Sequence, residues 1–137
     1  MCPLTASYAQ TLVSALYIIN LGKAARTHTA RTKGNTVNLA IIGCGGMAGA
    51  HLNGYEELAR KGETRFRIVA AVDEARDRAD AFATRLRGNL GWEVATFRNV
   101  DQLLNSGLQI DGGDICSPHG LHHVLSCQLL DGGVNVL

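Results

Sequence analysis

Val37-Asn38-Leu39-Ala40-Ile41-Ile42-Gly43-Cys44-Gly45-Gly46-Met47-Ala48 is the stretch on which the fold turns. Apart from Asn38, Val37 to Ile42 is apolar, of strand length, and followed at once by glycines. A strand buried on both faces of a sheet reads this way. Gly43, Gly45 and Ala48 then occupy the key places of G-x-G-x-x-A. Gly43 permits a tight strand-to-helix turn, Gly45 leaves room for a pyrophosphate to approach the backbone, and Ala48 lets the helix pack close to the strand. The helix start offers unpaired N–H groups and a positive dipole end to phosphate. The cradle is therefore assigned to Gly43, Gly45, Gly46, Met47 and Ala48.

Glycines at a turn are usually no more than a turn, so the flanks decide. Gly46 to Arg60 is predicted as a helix, with Met47, His51, Tyr55 and Leu58 recurring along one side. Phe66 to Val72 is a second β-rich run, and it ends at Asp73. An acid at that place can accept the hydroxyl hydrogens of an adenosine ribose. Asp73 is also a candidate N-cap ahead of Ala75, and the two roles are compatible. Strand, glycines, helix and acid in this order predict nucleotide binding. A methyltransferase uses a similar turn, but with an acid two places before the first glycine and a third glycine at alternate spacing. Ile41 and Met47 stand at those places.

The remaining chain continues the alternation. A second helix carries Ala75, Ala79, Phe82 and Leu86 on one stripe, and residues 88–91 make a turn. Residues 93–97 form a third strand. Asn99 caps a short helix, with Gln102 placed as in a capping box, and that helix ends near Gly107. Residues 114–117 are a fourth strand. Residues 121–130 are a helix burying Leu121, Val124, Leu125 and Leu129, closed by Gly132 and Gly133. Residues 134–137 begin a fifth strand. Strands alternating with helices predict an α/β fold, a doubly wound parallel sheet of Rossmann type with right-handed crossovers, incomplete at its C-terminal edge. The exposed arginines Arg60, Arg85 and Arg87, and Trp92, are read as surface or packing residues.

With 46% apolar and 18% charged residues in 137, the composition is that of a globular domain. A net charge of +1 leaves no electrostatic footprint for nucleic acid or an anionic membrane. No apolar run approaches the roughly 18 residues of a membrane span. Residues 1–36 stand apart. Glu56 is the first acidic residue of the chain, whereas Lys23, Arg26, Arg31 and Lys33 lie upstream of it. The apolar stretch at 12–21 has its basic residues after it, the reverse of a secretory signal. The segment is expected to be a flexible extension to a dinucleotide-binding domain spanning 37–137. Cys2, Cys44, Cys116 and Cys127 form no CxxC pair, which predicts reduced thiols and a cytoplasmic location. His119, His123 and Cys127 are spaced i, i+4, i+8, with Cys116 just upstream. A metal is nevertheless not expected there, because Pro118 interrupts the segment and the helix must bury its apolar stripe.

Several segments together resemble the Gfo/Idh/MocA oxidoreductases. They are Ile41 to Ala48 with His51, Val69-Ala70-Ala71-Val72-Asp73, Asp114-Ile115-Cys116-Ser117-Pro118-His119-Gly120-Leu121-His122, and Leu130-Asp131-Gly132-Gly133-Val134-Asn135-Val136. The resemblance implies a nicotinamide cofactor, NAD with NADP admissible. It also implies hydride transfer to or from a sugar, polyol or related hydroxy compound, and a homo-oligomeric full-length enzyme. Where the family reads Thr-Pro-Asn-x-x-His, Ser117 and Pro118 would lie near the nicotinamide ribose. His119 replaces the Asn, and His122 matches the histidine. Gly112-Gly113 replace the family's Ala-Val, which is expected to weaken the start of the fourth strand, and Val134-Asn135 replace its Lys-His. The family's Glu-Lys-Pro motif and its C-terminal substrate domain would follow Val136, so no residue is assigned as catalytic and the chain alone is expected to be inactive. The alternative is a non-catalytic dinucleotide-sensing or regulatory module.

Overall fold

A computed structural model describes residues 36–137, so the expectation for the N-terminal extension lies outside the described residues. The elements run β1 (Val37–Ile42), α1 (Gly46–Arg60), β2 (Phe66–Val72), α2 (Arg76–Leu90), β3 (Ala95–Phe97), α3 (Val100–Asn105), β4 (Gly112–Ile115), α4 (His119–Asp131) and β5 (Asn135–Val136). All strand pairs are parallel, in the order β3-β2-β1-β4-β5. The direction of winding reverses between β1 and β4, and α/β sheets hold their ligands in the crevice at such a point.

Alternation along the strands divides the core. Leu39 and Ile41 face α1 and α2 with Tyr55, Phe82 and Leu86, while Ala40 and Ile42 face α3 and α4 with Leu103 and Leu129. The β1–β2 register shifts between Leu39 and Ala40, so that Leu39 pairs with Ile68 and Ala40 with Ala70. This bulge absorbs Val69 and lets Phe66, Ile68 and Ala71 all reach the α1 side despite the period-2 rule. Among the described residues no helix is long and apolar enough to cross a membrane.

Several local expectations are met. β1, α1 and β2 have the predicted bounds. Asn99 Oδ1 accepts from the Gln102 backbone N–H at 2.8 Å, and Gln102 Oε1 accepts from the Arg98 N–H at 3.0 Å. Others need correction. The inward stripe of α1 is Ala48, Leu52, Tyr55 and Leu58, with Met47 53% exposed and His51 only part-buried. The helix is rolled by about one residue from the predicted face, which turns Met47 to solvent and Ala48 onto the sheet. α2 runs on through Gly88 to Leu90 and stops at Gly91, which takes the left-handed conformation at φ 66°. β3 is three residues long.

β4 starts at Gly112, two residues earlier than expected, so the glycines do not delay it. The reason is packing. A Cβ on Gly113 would lie 2.7 Å from Leu129 Cδ1, so the missing side chain on the strand is filled by a leucine from α4. On α4 only Leu129 is fully buried, whereas Leu121 and Val124 are 50% and 54% exposed. The sheet beneath α4 narrows to β4 and the two-residue β5, too little to cover a four-residue stripe. Trp92 packs edge-on against Phe66 with ring centroids 5.7 Å apart. Arg85 is more than a surface residue, because its Nε and Nη2 hold both oxygens of the buried Glu56 at 3.0 and 2.9 Å and so tie α2 to α1.

Candidate dinucleotide site

Two turns meet at the switch point, one after β1 and one after β4. Gly43 has φ 91°, and a Cβ there would sit 2.9 Å from Ser117 N and 3.1 Å from the Cys116 carbonyl carbon. The left-handed backbone and the close strand approach each require glycine. Gly45 and Gly46 are different. Nothing lies within 4 Å of a Cβ built on either, so the protein's own packing does not demand glycine there. Gly45 is the N-cap of α1 in ordinary extended backbone (φ −85°, ψ −160°), with no side chain capping the helix and no acid in its first turn. The first N–H groups of a helix have no intrahelical acceptors. Here no side chain caps them, and the positive end of a fifteen-residue helix lies behind them. Ala48, fully buried, brings the helix onto the sheet.

Asp73 closes one flank. Its Oδ2 accepts the Cys44 N–H at 2.8 Å and its Oδ1 accepts the Ala75 N–H at 2.8 Å, so it fastens the glycine turn to the end of β2 and turns the chain into α2. The cap expectation is not met, since the N-cap residue of α2 is Ala75 with no side chain capping the helix, and Asp73 instead holds the turn that precedes it. Arg78 Nε lies 3.2 Å from Asp73 Oδ1 on a side chain 59% exposed. A carboxylate has about four acceptor directions. Asp73 therefore keeps capacity on Oδ2, and more when Arg78 swings into solvent. Beside it, the Asp73 N–H bonds to Phe97 O, and a recess lined by Arg76, Thr96, Phe97, Arg98 and Gln102 opens off the end of β3.

The other flank is the end of β4. Ser117 Oγ is buried and finds no hydrogen-bond partner among the described residues. Such a group is costly unless something satisfies it. His122 Nε2 is 2.7 Å from the Ser117 carbonyl, which can only accept, so the imidazole donates and holds the turn. Its ring meets His119 edge-on at 5.2 Å, and His119 and Pro118 stand exposed at the rim. The open turn and the orphaned hydroxyl thus fit a phosphate-bearing ligand lying from Asp73 to Ser117. Cys44, inside the turn, has its thiol pushed up to about 12 by burial and then by the Asp73 charge.

Sequence reasoning missed a cluster beneath this crevice. His51 Nδ1 lies 2.8 Å from Asp114 Oδ2, and Tyr55 donates to the same oxygen at 3.0 Å. Cys116 Sγ is 3.5 Å from His51 Nδ1 and 3.6 Å from Asp114 Oδ1. The hydrogen bond to Asp114 raises the His51 pKa against the opposing effect of burial. Burial, and after it Asp114, raises those of Tyr55 and Cys116. The available signals were the i, i+4 spacing of His51 and Tyr55 and the i, i+2 spacing of Asp114 and Cys116. Neither shows that the two faces meet. Cys116 is drawn into this cluster, away from the exposed His119, His123 and Cys127.

The comparisons agree with this fold. The family model GFO_IDH_MocA, described as an oxidoreductase family with an NAD-binding Rossmann fold, matches residues 37–137. Among solved structures, an oxidoreductase from Thermotoga maritima is 30% identical with a TM-score of 0.63, over 74% of this chain and 28% of that one. A scyllo-inositol dehydrogenase from Lactobacillus casei, with bound NAD(H) and scyllo-inositol, is 23% identical with a TM-score of 0.57, over 74% and 27%. The WlbA dehydrogenase from Bordetella pertussis, in complex with NADH and UDP-GlcNAcA, is 19% identical with a TM-score of 0.56, over 74% and 28%. The last two likenesses speak for the fold alone, and the chain spans little over a quarter of the length of each of the three structures. No curated protein matches the sequence. With the family model covering every element from β1 to β5, the chain belongs to the Gfo/Idh/MocA oxidoreductases and carries their NAD-binding Rossmann domain.

Proposed function

We propose that this chain is the cofactor-holding part of a cytoplasmic, homo-oligomeric dehydrogenase acting on a sugar, polyol or related hydroxy compound. The observation that carries the reading is the uncapped helix start at Gly45 and Gly46, open above and flanked by Asp73 and by the unsatisfied Ser117 Oγ. The backbone N–H groups of Gly46, Met47 and Ala48 would take the pyrophosphate, with Gly43 bringing β4 close enough to complete the cradle. Asp73 would take the adenosine ribose. Ser117, Pro118 and His119 would border the nicotinamide ribose, with His122 holding their turn in shape through the Ser117 carbonyl. Bound NAD supplies the hydride-transfer chemistry, and these residues fix its position at the carboxyl ends of the strands.

A sugar or polyol substrate is favoured because the fold's neighbours include proteins seen with scyllo-inositol and with UDP-GlcNAcA. The free thiols Cys44, Cys116 and Cys127 suit a reducing compartment. The test is calorimetric titration of the chain with NAD, followed by assay of a longer reading frame for NADH formation on inositols and nucleotide sugars. Tight NAD binding with no turnover by the longer protein on any polyol or sugar favours the sensing module instead.

A further inference from the structure

The cluster between α1 and β4 is a site in its own right, distinct from the crevice above it. Its side chains converge from two elements, with His51 and Tyr55 one helical turn apart on α1, and Asp114 and Cys116 on the same side of β4 and its continuation. Imidazole nitrogen, carboxylate oxygen and thiolate sulfur are together the donor set of a zinc-class cation. The separations fit a common centre. With metal–ligand lengths of about 2.0 Å to nitrogen and oxygen and about 2.3 Å to sulfur, the 2.8 Å from His51 Nδ1 to Asp114 Oδ2 subtends about 90°. On the same lengths, 3.5 Å from Cys116 Sγ to His51 Nδ1 and 3.6 Å from Cys116 Sγ to Asp114 Oδ1 subtend about 110° and about 115°. Two of the three angles are close to tetrahedral and the third suits a carboxylate that offers both oxygens.

We propose that His51, Asp114 and Cys116 bind a thiophilic divalent cation of the zinc class. Tyr55 donates to Asp114 from outside the coordination shell and fixes the carboxylate, as outer partners of metal ligands do. Three protein residues leave room for a further ligand, and the His51 side chain, 20% exposed, gives a way in while Asp114 and Cys116 are buried. On binding, the Cys116 thiol loses its proton to solvent and sulfur forms the metal bond as thiolate. The proton between His51 Nδ1 and Asp114 Oδ2 leaves that contact, to Nε2 from a neutral ring or to solvent from an imidazolium, so His51 ligates through Nδ1 with its one remaining proton on Nε2. The ion pins α1, whose start is the cradle, to β4, which carries its Ser117 flank, so occupancy stiffens the crevice from beneath.

The experiment titrates Co²⁺ into the reduced 137-residue chain and follows the near-ultraviolet band of thiolate-to-cobalt charge transfer. Zn²⁺ displacement and thermal denaturation follow. The expected result is a band that saturates at a single equivalent, disappears on zinc addition, and accompanies a rise in Tm. Cys116→Ser abolishes the band, and the Cys2→Ser/Cys127→Ser double variant keeps it. His51→Gln, which preserves a hydrogen bond to Asp114 but not the imidazole, weakens binding at least about tenfold. Circular dichroism accompanies each variant, and if Cys116→Ser fails to fold, His51→Gln decides. Absence of a band in the native chain overturns the proposal. So does a band undiminished in His51→Gln, or one that vanishes with Cys127 and not with Cys116.

Discussion

Gly43 and Gly45 sit two residues apart in one turn, yet the structure assigns them opposite costs. Gly43→Ala puts a methyl group 2.9 Å from Ser117 N, against backbone that cannot step aside, at a φ of 91°. The left-handed conformation costs an L-residue roughly 1–2 kcal/mol, and overpacking adds about 1–3 kcal/mol. The sum, about 2–5 kcal/mol, is a large share of the roughly 5–15 kcal/mol that keeps a domain folded. In Gly45→Val the Cβ meets no atom within 4 Å and the backbone is already ordinary and extended. Its effect on stability should be about 1 kcal/mol, the scale of an apolar residue at an N-cap. Its isopropyl group, however, would occupy the space above the first turn of α1. Losing two charge-assisted hydrogen bonds at about 1.5–3 kcal/mol each weakens NAD binding by about 3–6 kcal/mol, which is more than about a hundredfold. The pair is assayed by urea unfolding and by calorimetric titration with NAD. Gly43→Ala should lower the unfolding midpoint sharply, and Gly45→Val should lower it only slightly but fail to bind. Native affinity in Gly45→Val refutes the assignment of the open turn to phosphate, and native stability in Gly43→Ala refutes the β1–β4 contact.

NADP should bind more weakly than NAD, because a 2′-phosphate meets the Asp73 carboxylate and the neighbouring Glu74. Equal affinities in competition titration would show that Arg76 and Arg78 outweigh them. Arg85→Ala should cost about 1–3 kcal/mol in urea unfolding, less than the loss of a fully buried pair because Arg85 is partly exposed and Arg60 and Asn89 remain on Glu56. Burial alone would raise the Glu56 pKa, but the hydrogen bonds from Arg85 and Asn89 prevail and hold it below the ordinary carboxylate value. Its contribution is therefore present above the unfolded-state pKa and is lost as pH falls through the lower folded value. The stability gap between native and Glu56→Gln proteins should accordingly narrow on acidification, and a gap that widens in acid contradicts the sign. Gly113→Ala should destabilise by about 1–3 kcal/mol by crowding Leu129. Leu129→Val in the same chain should recover part of that loss, since neighbouring sites couple; strict additivity in the double variant counts against the contact.

How far the sequence reached follows from the range of each interaction. Buried strands carry apolar runs, helices start and stop on local caps, and the left-handed backbone at Gly43 calls for glycine locally, before the approach of β4 adds its own demand. So β1, α1, β2, the Asn99 cap and the parallel sheet were legible from residues a few places apart, and so was the position of Asp73 at the end of its strand. Tertiary contact decided the rest. Which face of α1 turns inward depends on how the helix is rolled on the sheet, which left Met47 in solvent and Ala48 in the core. Whether Gly112-Gly113 weakens β4 depends on Leu129 arriving from a helix sixteen positions on, to fill the space the glycine leaves. Arg85 looked like surface until α2 lay beside Glu56. Above all, His51, Tyr55, Asp114 and Cys116 are separated by up to 65 positions, and only the pairing of β4 beside β1 brings them together. Periodicity tells which residues share a face of one element; which two faces meet is settled by the packing of the whole sheet.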